Sequence, residues 1–366
     1  MDPILGLSYI AIVLLAGILC LFLARQLKLP YNLLLLLLGL FLGSLVYSGT
    51  PVFGISTSFV AGIGILALVM LVFDSTSRLR LDEGQVDAIP SVRLINLFAL
   101  LSLLLVGLFV QLYFFPTGGV TTIFYAFLLA ILVVETDLGS VLVLFKDFAA
   151  KRAKHILHFL ETEADFNTAL IVVLPFILVS LMRNVNLDAQ NLFIGILSRV
   201  PEFLYEIIAG LAVGIVVGLV MLRIMRDWYD HHWTPVVLVT AALVSYVLTT
   251  LPRIHGNGVV AVAVMGFFFG NSYVSGKEQL TEFSRTLSTA LEILVFVLLG
   301  IVVRLPISLG FVWSSFLLFA FIVLVRVLTV FISLEKDPFT VREKLFIGLN
   351  MPKGFALATG LSGYWP

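Results

Sequence analysis

Charge is scarce in this chain. Asp, Glu, Lys and Arg make up 12% of its 366 residues, and the 22 acidic and 22 basic side chains cancel to a net charge of zero. A balance of that kind excludes the basic footprint by which proteins hold a nucleic-acid backbone, so no nucleic-acid partner is expected. Cysteine is almost missing as well. Cys20 alone cannot build an intramolecular disulfide framework or a thiolate cluster for a metal, and no cofactor is expected. Low-complexity tracts and long polar linkers are absent, which leaves no room for a separate soluble domain.

What fills the chain is apolar. Hydrophobic residues reach 60% and the mean hydropathy is +1.13, a composition that water does not keep in solution. The apolar runs are roughly 18 to 25 residues long, matching a hydrocarbon core of about 30 Å at about 1.5 Å per residue, whereas barrel strands would be near ten residues and alternate. The fold class is therefore all-α, a polytopic membrane protein. Spans are placed near 4–24, 31–48, 58–79, 94–115, 122–145, 158–182, 203–225, 234–252, 258–276, 286–304, 308–334 and from about 345 onward, about twelve in all. The first is too long for a signal-peptide core and carries its positive charges, Arg25 and Lys28, after it. Sixteen Lys and Arg residues fall in loops on one side and four (Arg183, Arg199, Arg253, Arg304) on the other, so the first side is cytoplasmic and the N terminus outside.

The informative residues are the ionisable ones at membrane depth, where an Asp or Arg costs roughly 2.5 to 3.5 kcal/mol on the lenient insertion scale. They are Asp74 in "LVMLVFDSTS", Glu135 and Asp137 in "AILVVETDLGSVLVLF", Glu163 and Asp165 in "LHFLETEADFNTAL", Glu292 in "TALEILVFVLLG", Arg326 in "FIVLVRVLTV" and Lys353 in "GLNMPKGFALATG". Asp137 lies near the centre of its span, too deep for a short side chain to reach water. Arg326 reads as half of a buried ion pair, with Glu163 or Glu292 as partner. Thr136-Asp137-Leu138-Gly139 and the Pro352-Lys353-Gly354 segment each interrupt an apolar run with poor helix formers. Two broken helices, one in each half of the chain, are the pattern of inverted repeats that cross at a midplane site.

At these residues the sequence resembles the sodium/proton antiporters of the cation/proton antiporter superfamily, archaeal NhaP type. The likeness runs in order through "VFDSTSRL", "ETDLGSVLVLF", "LETEADFN", "GNGVVAVAVMGFFFG", "LEILVFVLLG", "FIVLVRVLTV" and "REKLFIGLNMPKGFALA". It departs where the family's proline after Thr-Asp is Leu138, its serine is Ala164, and the ion-binding aspartate of its Asn-Asp pair falls on Thr168 or, in a register two residues earlier, on Phe166. Asp165 and Thr168, spaced i, i+3, share a helix face, so the carboxylate sits about 4.5 Å nearer the cytoplasm.

The resemblance implies a secondary transporter, not an enzyme, exchanging Na+ (or K+ or Li+) for protons across the cell membrane in pH homeostasis, working as a homodimer in the bilayer. Asp137 and Asp165 are expected to supply charge, Thr136 and Thr168 neutral oxygens, and Asp74 a further acidic ligand, with Asn167 and Lys353 fixing the crossing. Glu163 and Asn167 form a second stripe suited to holding Arg326 and the crossing backbone. Residues 1–182 are expected to form the first half, 183–233 a connecting helix region and 234–366 the second half, incomplete at its C-terminal end relative to the family. A cation channel or uniporter, or a paralogue with altered transport, is the alternative. An intramembrane aspartyl protease built on Asp74 and Asp137 lacks the expected surround. The histidines sit at predicted interfaces and read as headgroup-level residues.

Overall fold

The computed structural model describes residues 3–27, 31–47, 50–51, 56–79, 85–134, 151–171, 173–182, 192–228, 230, 232–303 and 308–349. Within them the chain is helical apart from one antiparallel pair of two-residue strands, β1 (Val46–Tyr47) and β2 (Thr50–Pro51). The helices are α1 (Pro3–Leu27), α2 (Tyr31–Ser44), α3 (Thr57–Ser77), α4 (Gln85–Leu101), α5 (Gly107–Phe114), α6 (Val120–Leu132), α7 (Lys151–Ile171), α8 (Val173–Met182), α9 (Leu192–Asp227), α10 (Thr234–Thr250), α11 (Gly258–Gly270), α12 (Lys277–Val302), α13 (Leu309–Ser333) and α14 (Val341–Leu349). A π-helical turn, Ser102–Val106, joins α4 to α5 so that they continue one another. Six described helices are long and apolar enough to cross a membrane, and four shorter apolar ones accompany them.

Local chemistry starts these helices where the sequence places polar residues. Ser56 accepts from the Phe59 N–H ahead of α3, Ser308 from Phe311 ahead of α13, and Asn257 from Val259 and Val260 ahead of α11. Element ends differ from the hydropathy pattern where polar residues stay helical. The fourth span begins at Gln85 rather than near 94 because α4 carries Asp87 and Arg93 through its first turns, and α9 runs 36 residues because Pro201 does not end it.

The helices form two bundles. One contains α1, α2, α3, α9, α10, α11 and α12 around a single hydrophobic core. The other contains α4 to α7, α13 and α14 around two smaller ones, with α8 and one face of α6 at the seam between bundles. Within these bundles the pairings repeat. α2 packs on α12 as α11 packs on α3; α1 packs on α2 as α10 on α11; α1 on α12 as α10 on α3; and α5 on α6 as α13 on α14. Exchanging α1–α3 with α10–α12, and α4–α6 with α13–α14, reproduces these pairings, while α3·α12 and α4·α13 map onto themselves; the contacts of α7 and α9 have no counterpart among the described residues. The same pairings thus recur between helices of the N-terminal and C-terminal parts of the chain.

Two close approaches make the repeat concrete. Gly39 and Gly43 on α2 correspond to Gly266 and Gly270 on α11, each pair 227 residues apart (266 less 39). A Cβ on Gly39 would lie 2.8 Å from the Gly300 Cα of α12, and one on Gly266 would lie 2.8 Å from the Phe73 carbonyl of α3. Gly300 and Phe73 are again 227 apart. Helices in lipid gain little from hydrophobic burial against each other, so backbone-to-backbone contact through such Gly-x-x-x-Gly pairs is a main source of their association.

Candidate functional site

Helix α7 carries the acidic stretch, and it organises the second bundle through two residues one turn apart. Glu163, 1% exposed, meets Arg326 of α13, which is wholly buried; Nη2 lies 2.6 Å from Oε1. The guanidinium also sits over the Phe98 ring of α4, 4.7 Å from its centroid. Two of its nitrogens, Nε and Nη1, have no acceptor among the described residues. One turn further, Asn167 is wholly buried and its Nδ2 donates to the Val134 carbonyl at 3.1 Å. The i, i+4 spacing that puts Glu163 and Asn167 on one face thus ties three elements to α7: α13 and α4 through Arg326, and the end of α6 through Val134.

Helix α6 stops at Leu132, and the turn at Val133 and Val134 bonds back to Leu129 and Ile131. Thr136, Asp137 and the sequence around them lie outside the described residues, as does Lys353, so the two expected helix breaks fall there. Asp165 and Thr168 are placed on α7 by their backbone, two residues before and one after Asn167, and their side chains lie outside what is described.

Asp74 is in the other bundle. It lies on the last turn but one of α3, 4% exposed, and its Oδ2 is ion-paired with Arg78 one turn on. Arg285 of α12 adds a second positive field. Glu292, offered by the sequence beside Glu163 as a counter-ion for Arg326, is elsewhere: it lies on α12 in the first bundle, where the Tyr31 hydroxyl donates to its carboxylate, 3.2 Å from each oxygen. The α12 face that bears Glu292 turns toward α2, and Arg326 belongs to a helix of the second bundle, which is why only one of the two candidate partners meets it.

Three partners were not read from sequence. Arg78 follows Asp74 at i, i+4, the spacing of a helix ion pair. Tyr31 and Phe98 give no local signal, because each meets its charge across the fold. Among the described residues no group of three or more His, Cys, Asp or Glu is placed to hold a metal ion.

Comparison with known proteins adds the following. A family model described as sodium/hydrogen exchanger, transmembrane, matches residues 10–365. The chain is 24% identical over 348 residues to a K(+)/H(+) antiporter NhaP of Alkalimonas amylolytica, covering 94% of this chain and 57% of that one, so it spans little more than half of that relative's length. It is 25% identical over 372 residues to a probable Na(+)/H(+) antiporter 2 of Methanocaldococcus jannaschii, covering 98% and 84%. The solved structure of the sodium proton antiporter MjNhaP1 from the same archaeon, at pH 8, superimposes with a TM-score of 0.76 at 20% identity, covering 99% of this chain and 88% of that one. That superposition shows the same fold.

Proposed function

Because this chain belongs to the sodium/hydrogen exchanger family, we propose that it exchanges a monovalent cation, Na+ or else K+ or Li+, for protons. It does so as a multi-pass protein of the cell membrane, N terminus outside, working as a homodimer. Residues 1–182 and 234–366 are the two halves, with 183–233 connecting them. The named relatives supply the reaction class, since they are a K(+)/H(+) and a probable Na(+)/H(+) antiporter.

The observation that carries the site is the buried Asn167–Val134 hydrogen bond. It fixes the helix that bears Asp165 and Thr168 against the backbone three residues before Asp137. Covalent connection alone keeps the Asp137 Cα within about 11 Å of that of Val134. Asp137 and Asp165 supply negative charge to a shared water-poor cavity, Thr136 and Thr168 supply neutral oxygens, and Lys353 holds the opposite crossing segment. Such a cavity is satisfied by a proton or by a hard cation that prefers carboxylate, hydroxyl and carbonyl oxygens, and two positive charges are disfavoured there. Asp74, paired with Arg78 in the first bundle, is the further acidic group of the transport machinery, and Glu163 with Arg326 holds α7 and α13 in register while the cavity exchanges its cargo. An empty, ionised cavity is costly to carry across the hydrocarbon layer, so loaded states move and exchange is obligatory.

The test is reconstitution into liposomes. An imposed pH gradient is expected to drive Na+ uptake, and Asp165→Asn to abolish it. Cation flux that continues without proton movement would instead make the protein a channel, and full exchange by Asp165→Asn would remove that residue from the site.

A further inference from the structure

The seam between α3 and α12 contains more polar groups than helix packing needs. Along α12, Ser284, Ser288 and Glu292 are 1%, 5% and 9% exposed and follow one another at intervals of four, so they occupy one stripe. Across from Ser284 stands Asp74. Its Oδ1 and the Ser284 hydroxyl are both buried and face one another across the seam. The Ser288 hydroxyl donates to the Met70 carbonyl of α3 at 3.2 Å and keeps its lone pairs. At the inner end, Tyr31 donates to Glu292. At the outer end, Arg78, 35% exposed on its side chain, pairs with Asp74 and opens the row to the cytoplasmic face.

We propose that the row Asp74, Ser284, Ser288, Glu292 is a proton path that makes Glu292 a proton-binding site in the first bundle, separate from the carboxylates of the exchange cavity. The spacing suits it. Four helical residues rise about 6 Å, a span that one water with a hydrogen bond of about 2.8 Å on each side would cover. A hydronium at the cytoplasmic face gives its proton to Asp74. The proton passes through hydroxyls and bridging water to a Glu292 oxygen, which becomes neutral while the Tyr31 hydroxyl remains on the other, and it returns by the same route. No bond other than those to the moving proton is made or broken.

Other titratable or charged side chains lie on every element packed against α12. They are Tyr9, Cys20 and Arg25 on α1, Tyr31 on α2, Asp74 with Arg78 on α3, Tyr246 on α10, and Lys277, Glu278, Glu282 and Arg285 on the first half of α12 itself. Among them, Tyr31 hydrogen-bonds to Glu292.

Infrared difference spectroscopy of the reconstituted full chain between acid and neutral pH tests this without any transport reading, so its outcome is separable from that of the exchange assay. A pH-dependent protonated-carboxyl band is expected that is absent from Glu292→Gln and moves in frequency in Tyr31→Phe, which loses the phenol donor. After a pH jump, Ser284→Val/Ser288→Val is expected to slow the appearance of that band by tenfold or more, while Ser284→Thr/Ser288→Thr, which keeps both hydroxyls, restores the rate. A Glu292→Gln spectrum identical to that of the unsubstituted protein at every pH overturns the site. An unchanged rate in the valine pair overturns the path.

Discussion

Replacing Arg326 by Met tests the energetics of the buried pair most sharply. The change removes a guanidinium that is wholly buried, 2.6 Å from a carboxylate whose side chain is 2% exposed, and it leaves Glu163 charged among apolar neighbours. An uncompensated charge of this kind costs about 3–5 kcal/mol. The stack on Phe98 contributes less, about 2 kcal/mol for a desolvated cation over a ring. Arg326→Met is therefore expected to lower stability more than Phe98→Leu, and adding Glu163→Gln to Arg326→Met to recover most of the loss, since a neutral pair no longer strands a charge. The measurement is a double-mutant cycle on unfolding in detergent micelles, read by loss of the monodisperse folded peak on heating. Equal losses from Arg326→Met and from the double variant would refute the reasoning, because the stranded charge would then not be the dominant cost.

Other substitutions have distinct signatures in the same assay. Gly300→Ala pushes a methyl group to within 2.7 Å of the Gly39 Cα and is expected to abolish folding into the micelle, whereas Gly62→Ala, with nothing within 4 Å of the new atom, is expected to raise stability by about 0.5–1 kcal/mol. Asn257→Ala removes the acceptor for two N–H groups at the start of α11 and is expected to cost about 1 kcal/mol, with Asn257→Asp restoring it. Asn167→Leu leaves the Val134 carbonyl without its donor, at a cost of about 1–3 kcal/mol, and is expected to reduce pH-driven Na+ uptake in liposomes more than it reduces folded yield. A proportional fall in both would mean that Asn167 supports only the fold.

The membrane class and most of the spans were legible because lipid enforces a simple rule: long apolar helices with their backbone satisfied internally. Polar helix starts such as Asn257 and Ser308 follow equally local rules. The stripe of Glu163 and Asn167 on α7 was also visible, since the 3.6-residue period converts spacing directly into a shared face. What each side chain would meet was harder. Arg326 had two acidic candidates at similar depth, and only the assignment of α12 and α13 to different bundles separates Glu163 from Glu292. The Tyr31 contact could not be read at all, because a tyrosine at the first position of a helix looks like an ordinary interfacial residue until α12 is laid beside it. Asp74 shows the reverse case: its partner was four residues away, and the pull of loop charge on the topology count hid it.

The paired glycines have a consequence for how kinship within this chain should be sought. Helices α2 and α11 share almost no side chains, yet each has a bare patch at the same interval, and each patch admits another backbone. Descent from a duplicated ancestor would thus be preserved in places where atoms are missing, and a comparison weighted toward points of main-chain contact should recover the two halves long after their surfaces have drifted apart.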